Sequence, residues 1–190
     1  MGFDTISFWL GLFFLVFIYQ FLTKKIYCNI LLLVASYAIY GAWDLRFLPF
    51  IFLSTIVDFS VGHWASPANK YWHRRMALFI SLFVNLGLLA SCKYLLEIFN
   101  VDDLYPYLGT YLPDTLVDIG LPLGISFYTF QTLSYTIDVY RGKIKPTSNI
   151  IDFALYVSFF PQLTAGPIEK ARRLLPQISN DRTVKWEDVK

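Results

Sequence analysis

Long uncharged runs of apolar residues alternate along the chain with short polar segments. Five of these runs are close to the length of about 20 residues that an α-helix needs to cross a hydrocarbon core of about 30 Å. We expect membrane-spanning helices at residues 5–23, 26–43, 47–64, 76–99 and 119–138. The pattern therefore predicts an all-α, polytopic membrane protein.

A sixth apolar run, residues 150–168, is interrupted by Pro161, Gly166 and Pro167. Each proline removes a backbone donor, so this run is a poor full-length span. A complete crossing would also place the cations of residues 170–173 on the outer side. We therefore predict a re-entrant helical element that dips into the membrane and returns to the cytoplasmic side, followed by a cytoplasmic tail at residues 169–190. All these elements belong to one predicted domain, residues 1–190.

The charges between the runs predict the orientation of the chain, because short cytoplasmic loops carry an excess of Lys and Arg. The first loop carries Lys24 and Lys25, and the loop after the fifth run carries three cations within residues 141–145. The loop at residues 100–118 is acidic and contains no basic residue. The charge pattern thus predicts five alternating crossings with an extracytoplasmic N-terminus.

Composition agrees with a membrane protein, since 56% of the residues are hydrophobic and only 16% are charged. The net charge of +2 gives no indication of nucleic acid as a partner. Cys28 and Cys92 lie inside apolar runs, where a thiol usually behaves as a small hydrophobic group. His63 and His73 have no cluster of further ligands around them, so we predict no metal site.

The residues around the interrupted run are candidates for binding, because Arg and Lys at a cavity mouth hold phosphates through charge-assisted hydrogen bonds. The candidates for contact with a phosphorylated acyl donor are Arg141, Lys143, Lys170, Arg172 and Arg173. An alternative interpretation is that these cations only set the topology. His63 and His73 lie at or beyond the predicted cytoplasmic boundary, so neither is expected to act as a general base.

Two stretches of sequence carry a resemblance to a known family. LPLGISFYTFQTLSYTIDVYRGKI (121–144) and NIIDFALYVSFFPQLTAGPIEKARRLLPQI (149–178) resemble the membrane-bound O-acyltransferase (MBOAT) family, in its bacterial alginate O-acetyltransferase-like branch. The runs YCNILLLVASYAIYGAWDLRFL and CKYLLEIF are similar to it as well. The resemblance implies a multi-pass enzyme of the bacterial inner membrane that moves an acyl group, acetyl in particular, from cytoplasmic acyl-CoA through a central tunnel.

The resemblance also implies partners and site residues. The acceptor would be an exopolysaccharide, reached with the help of an extracytoplasmic acetyl-transfer partner protein, and no cofactor would be bound. Under this interpretation the tunnel wall is formed by Phe127, Tyr128, Phe130, Gln131, Gly166 and Pro167.

The catalytic histidine of the family lies in a Trp-His-Gly type motif in its C-terminal half. No such motif occurs in these residues. We therefore expect the chain to be the N-terminal part of such an enzyme, with no catalytic residue of its own, inactive without the C-terminal half. Two alternatives remain open at this point: a solute transporter, since broken helices at mid-membrane bind solutes in secondary transporters, and a non-catalytic membrane scaffold subunit.

Overall fold

The computed structural model describes residues 6–95, 124–165 and 169–180, and within them it contains helices and no strand. The helices are α1 (Ile6–Phe21), α2 (Lys25–Asp44), α3 (Leu48–Ala65), α4 (Tyr71–Ala90), α5 (Ile125–Tyr140), α6 (Ile150–Ser158), α7 (Phe160–Ala165) and α8 (Ala171–Ser179). A 3-10 turn, Leu45–Phe47, joins α2 to α3, and a π-helical turn, Ser91–Leu95, extends α4. The predicted all-α class is confirmed.

Three helical segments are long and apolar enough to cross a membrane, namely Lys25–Ala42, Leu45–Ala65 and Tyr71–Lys93. They correspond to the second, third and fourth predicted runs, and the protein is an all-α membrane protein. Helices α1 and α5 have 16 residues each, or about 24 Å at a rise of 1.5 Å per residue. The predicted starts of these two runs include residues that lie outside the described parts of the chain, so their full crossings stay predictions.

Helix α4 begins at Tyr71, five residues before the predicted start at Met76. The prediction placed the start of the run directly after the cations Arg74 and Arg75. The helix continues past this edge of the apolar segment and includes both residues. The guanidinium of Arg74 donates a hydrogen bond to the carbonyl of Tyr140 at 2.6 Å and lies over the Tyr140 ring. A charged residue therefore marks the edge of the apolar segment and not the end of the helix.

Helix α5 ends two residues later than predicted, at Tyr140, where Gly142 has a φ of 70°. The N–H of Gly142 donates to the carbonyl of Val139, and the N–H of Lys143 donates to the carbonyl of Asp138. This pair of bonds is a Schellman motif, which uses a glycine in the left-handed conformation to end a helix. This motif therefore sets the direction in which the basic loop leaves α5.

The interrupted run forms two short helices, as its prolines and glycine predict. Helix α6 has 9 residues and α7 has 6, so neither crosses a hydrocarbon core of about 30 Å. The break lies at Phe159, which has a ψ of 106° and precedes Pro161 by two residues. Pro161 occupies the first turn of α7, where its missing N–H breaks no helical hydrogen bond. Residues 166–168, with Gly166 and Pro167, lie outside the described residues.

The two sides of the broken element meet at one residue, Lys25, at the start of α2. Its ammonium group lies 3.4 Å from a carboxylate oxygen of Asp152 in the first turn of α6. The same ammonium donates a hydrogen bond to the carbonyl of Ser179, at the end of α8, at 2.7 Å. The start of α6 and the end of α8 therefore lie at the same end of α2, and the re-entrant course of the element stays a prediction.

Candidate functional site

The broken element is surrounded by polar side chains from two neighbouring helices. The hydroxyl of Ser36, on α2, accepts a hydrogen bond from the backbone N–H of Phe160 at 3.2 Å, at the start of α7. Gln131, on α5, donates from its side-chain amide to the carbonyl of Tyr156 at 2.5 Å and to the side-chain oxygen of Gln162 at 3.2 Å. These bonds satisfy backbone groups that a broken helix leaves unpaired within the membrane.

Helix α5 also presents buried polar atoms that have no hydrogen-bond partner among the described residues. They are the hydroxyl of Tyr128, the hydroxyl of Thr129 and the side-chain oxygen of Gln131. Most buried polar atoms in proteins are paired, and those that are not are often found at functional sites. Gln131 contacts the broken element, so this part of α5 is a candidate surface for a polar ligand.

The predicted tunnel residues occupy different environments. Tyr128 and Gln131 are buried, and Gln131 is bonded to the broken element; Phe127 is half-buried, and Phe130 is 49% exposed. Gly166 and Pro167 lie outside the described residues. Tyr128 and Gln131 are thus the candidates that face the interior of the described bundle, and a tunnel-lining role stays a prediction for the whole set.

A cavity of about 610 Å³ opens beside the start of α6. Its walls come from the start of α2, the loop at residues 144–149, the first turn of α6 and helix α8. Asn149 caps α6 in this wall, since its side-chain oxygen accepts hydrogen bonds from the N–H groups of Ile151 and Asp152. The cavity therefore joins parts of the chain that the charge pattern assigns to the cytoplasmic side.

A small polar cluster fixes the inner wall of this cavity. Asn29 donates from its side-chain amide to the carboxylate of Asp152 at 2.8 Å and to the carbonyl of Ile178 at 3.0 Å. Lys25 contacts the same carboxylate and the next carbonyl, that of Ser179. Positive groups at the last carbonyls of a helix also complement the helix dipole. The cluster holds α2, α6 and α8 in one arrangement.

Only one of the five predicted donor-binding residues, Arg172, lines the cavity, and it is joined there by Lys25 and Lys145. Two of the others are in ion pairs: Lys143 lies 3.8 Å from Asp138, and Arg173 lies 3.8 Å from Glu169. Arg141 and Lys170 are exposed and outside the cavity wall. The structure separates cations that the sequence alone treats as one group.

A second buried network surrounds Asp58 on α3. Its carboxylate accepts hydrogen bonds from the hydroxyl of Ser81, from the amide of Asn85 at 2.6 Å and from the hydroxyl of Thr136 at 2.9 Å. The hydroxyl of Ser54 donates to Asn85 at 2.6 Å. The network joins α3, α4 and α5, which supports a structural role for this intramembrane carboxylate.

The two histidines lie on the surface of the described bundle. His63 and His73 are both exposed, and His63 contacts the carbonyl of Phe59 on its own helix at 3.0 Å. Among residues 6–95, 124–165 and 169–180 there is no group of three His, Cys, Asp or Glu side chains that would hold a metal ion.

Sequence reasoning missed Asn29, Asp152 and Gln162, and used Lys25 only as a topology marker. Two signals were present: Lys25 and Asn29 are four residues apart, hence on one face of a helix, and Asp152 is a carboxylate within an apolar run. Neither signal identifies the partner, because the contacts join residues more than 120 positions apart.

The chain is similar to several curated proteins. It is 39% identical over 166 residues to the protein named Probable alginate O-acetylase AlgI of Pseudomonas aeruginosa, a match that covers 86% of this chain and 31% of that protein. It is 37% identical over 166 residues to the protein of the same name of Azotobacter vinelandii, covering 86% and 33%. It is 30% identical over 176 residues to the Peptidoglycan O-acetyltransferase of Helicobacter pylori, covering 78% and 32%.

The chain thus spans about a third of the length of the curated relatives it matches. No protein-family model matches it, and no solved structure matches it significantly.

Proposed function

Because the chain belongs to the membrane-bound O-acyltransferase family, we propose that it forms part of an enzyme that transfers an acyl group from cytoplasmic acyl-CoA to an extracytoplasmic polysaccharide. The acyl group is proposed to be acetyl, since the relatives are named as an alginate O-acetylase and a peptidoglycan O-acetyltransferase. The enzyme is assigned to the inner membrane of a bacterium, and the N-terminus of the chain to the extracytoplasmic side.

The observation that carries this proposal is the broken element formed by α6 and α7, which polar side chains of α2 and α5 hold in place. Irregular backbone within a membrane is tolerated where protein or a water-filled cavity surrounds it. Here Ser36 and Gln131 bind it through hydrogen bonds, while a cation-lined cavity opens at its start. This arrangement offers a polar route from the cytoplasmic side into the bundle, as transfer of an acyl group across the membrane requires.

The proposed reaction exchanges a thioester for an ester. A hydroxyl oxygen of the acceptor forms a bond to the acyl carbon, the bond between that carbon and sulfur breaks, and the hydroxyl proton ends on the leaving thiolate sulfur, which becomes the thiol of free coenzyme A. The proton needs a general base, and both histidines of the described residues are exposed. We assign the base to the remaining two-thirds of the protein, where the family resemblance implies a histidine.

The polymers in the relatives' names indicate the chemical class of the proposed acceptor. Alginate and peptidoglycan, the polymers in the relatives' names, both carry sugar hydroxyl groups. An exopolysaccharide is therefore the proposed acceptor, reached through an extracytoplasmic partner protein. A broken helix would also suit a solute transporter, but relatives named as acetyltransferases favour acyl transfer over transport and over a non-catalytic scaffold.

The experiment that tests the proposal compares the amount of ester-linked acetate on cell-envelope polysaccharide between the wild-type strain and a deletion strain. Deletion of the natural gene should remove most of this acetate, and complementation with the full-length gene should restore it. As a control for loss of the polymer itself, total polysaccharide should remain unchanged in the deletion strain. Unaltered acetylation after deletion would contradict the proposed function.

A further inference from the structure

We propose that a groove on the outer face of α4, here called the α4 groove, is a binding site for an anionic phospholipid. Arg75 is the contact for the headgroup phosphate, and exposed aromatic side chains further along α4 are the contact for an acyl chain. The inference goes beyond the proposed acyl transfer and does not depend on it. It requires that α4 spans the membrane, which its length and composition support.

The α4 groove is a cavity of about 570 Å³ between α4 and the end of α5. Most of its wall is one face of α4, on which Trp72, Met76 and Phe79 follow each other at intervals of three or four residues. Tyr140 contributes the wall from α5. Arg74 fixes this wall, because its guanidinium donates to the carbonyl of Tyr140 at 2.6 Å and lies 4.9 Å from the centroid of the ring.

The charge of the α4 groove favours an anionic ligand. Arg75 lines it, and none of the described residues that line it is acidic. The side chain of Arg75 is exposed, and its guanidinium lies 5.4 Å from the centroid of the Tyr71 ring. The ion pairs among the described residues involve other cations. Since an arginine binds phosphate oxygens through charge-assisted hydrogen bonds, Arg75 is available for a phosphate.

The residues around the start of α4 are those typical of the headgroup level of a membrane. Tyr71 and Trp72 are exposed there, as is Trp64 at the end of α3. Tyr and Trp are enriched at membrane–water interfaces. The charge pattern assigns the loop between α3 and α4 to the cytoplasmic side, where basic pockets bind anionic headgroups. Arg75 therefore lies at the depth of a lipid phosphate.

The apolar part of the same face is suitable for an acyl chain. Phe79 and Phe83 are 62% and 70% exposed, and their rings stack with centroids 6.1 Å apart. From Trp72 to Phe83 the face is about 16 Å long at a rise of 1.5 Å per residue. This length is about half of a hydrocarbon core of about 30 Å, that is, one leaflet. A lipid with its phosphate at Arg75 would thus lay an acyl chain along these rings.

A second groove, between α1 and α2, shows by contrast why lipid is the proposed occupant. Its volume is about 270 Å³, no charged residue lines it among those described, and Gly11, Ala35, Ala38 and Ala42 are part of its wall. Small residues let helix backbones approach closely, so this second groove is suited to a helix of the remaining protein. The α4 groove has bulky aromatic side chains and an arginine in place of small residues, which favours a phospholipid.

The test measures lipid binding to the detergent-solubilised full-length protein by native mass spectrometry. The probes are phosphatidylglycerol and phosphatidylcholine with the same acyl chains, and the wild-type protein should bind phosphatidylglycerol more tightly. Arg75→Ala should weaken binding of phosphatidylglycerol about fivefold, the effect of one basic residue near an anionic headgroup. It should leave binding of phosphatidylcholine unchanged.

Two further variants separate the headgroup from the acyl chain and from general surface charge. Phe79→Ala should weaken binding of both lipids alike, since it removes a contact with the chain. Lys24→Ala is the matched control, because it removes an exposed cation on the same predicted side of the membrane but outside the α4 groove. It should change neither affinity. All three side chains are exposed, so the variants should fold.

Several outcomes would overturn the proposal. Equal affinity of the wild-type protein for the two lipids would show that the groove does not select an anionic headgroup. A loss of phosphatidylglycerol binding in Arg75→Ala no greater than that in Lys24→Ala would exclude Arg75 as its contact, and unchanged binding in Phe79→Ala would exclude the acyl-chain contact. Retention of neither lipid by the wild-type protein, with a lower unfolding midpoint for Phe79→Ala, would indicate that the rest of the protein covers the groove.

Discussion

At the scale of single residues, the interior of the bundle depends on a few close contacts that leave little room for change. Gly62, on α3, faces Tyr135, on α5. A Cβ atom at position 62 would lie 2.8 Å from the nearest carbon of the tyrosine ring. The ring is fully buried, and its hydroxyl accepts a hydrogen bond from the N–H of Thr147 at 3.1 Å. The ring has little freedom to move away.

Gly62→Ala should therefore lower the free energy of unfolding by about 1–3 kcal/mol, the usual cost of an overpacked core. The measurement is thermal unfolding of the detergent-solubilised full-length protein. Gly87→Ala is the matched control, because Gly87 also lies in a helix and a Cβ atom added there would meet no atom within 4 Å. An unfolding midpoint for Gly62→Ala equal to that of Gly87→Ala would contradict the assigned packing of α3 against α5.

The roles of single residues could be predicted from the sequence only in part. Asp58 is a carboxylate within an apolar run, a signal that the sequence shows, but its hydrogen bonds to neighbouring helices could not be predicted from it. Arg172 and Arg173 were indistinguishable, because adjacent helical residues differ only in the direction of their side chains. Which of them lines a cavity depends on what packs against the helix.

At the scale of elements, the broken helix is held by side chains of the spanning helices. Ser36 connects α2 to the start of α7: its hydroxyl donates to the carbonyl of Leu32 at 2.8 Å and accepts from the N–H of Phe160 at 3.2 Å. Gln131 connects α5 to both parts of the element. The position of the break is thus determined jointly by its proline and by these partners.

Ser36→Ala should remove the bond between α2 and α7 and lower the free energy of unfolding by about 1 kcal/mol, the net value of a typical hydrogen bond. The rate of acetyl transfer by the full-length protein should fall as well, since the break is then less well fixed. Ser60→Ala is the control, because that exposed hydroxyl bonds only to the carbonyl of Ile56 on its own helix. Equal stability and activity in the two variants would show that Ser36 does not hold the element.

The elements themselves followed from the sequence more readily than their ends did. Apolar runs located the second, third and fourth spans, and the interruption by Pro161 indicated the broken element. The start of α4 was wrong by five residues because charged side chains continue a helix past the apolar segment. The end of α5 was wrong by two, because the signal that ends it is Gly142 and not the charge of Asp138.

At the scale of the whole molecule, the described residues form only a part of the proposed enzyme. The chain spans about a third of the length of its relatives, and its described residues form a cation-lined cavity and a broken element. Many large apolar side chains of α1 are exposed, among them Trp9, Phe13 and Phe17. Lipid or the rest of the protein is expected to cover this surface.

The proposed assignment of the cavity to the cytoplasmic side combines the charge pattern with the contacts between distant segments. The charge pattern assigned the residues around Lys25, the loop at 144–149 and the tail to the cytoplasmic side, and the structure brings all three to one cavity. Their meeting was not predictable from the sequence, because it depends on contacts between distant segments. Under the proposed topology, a donor that enters at this cavity would come from the cytoplasm.

Transfer of labelled acetyl groups from acetyl-CoA in sealed vesicles of the two orientations tests this central claim most directly. With the full-length protein and its polysaccharide acceptor, inverted vesicles, whose cytoplasmic face is accessible, should transfer the label, and right-side-out vesicles should do so only after permeabilisation. Transfer by intact right-side-out vesicles, with none by inverted ones, would place the donor site on the outer face and contradict the account.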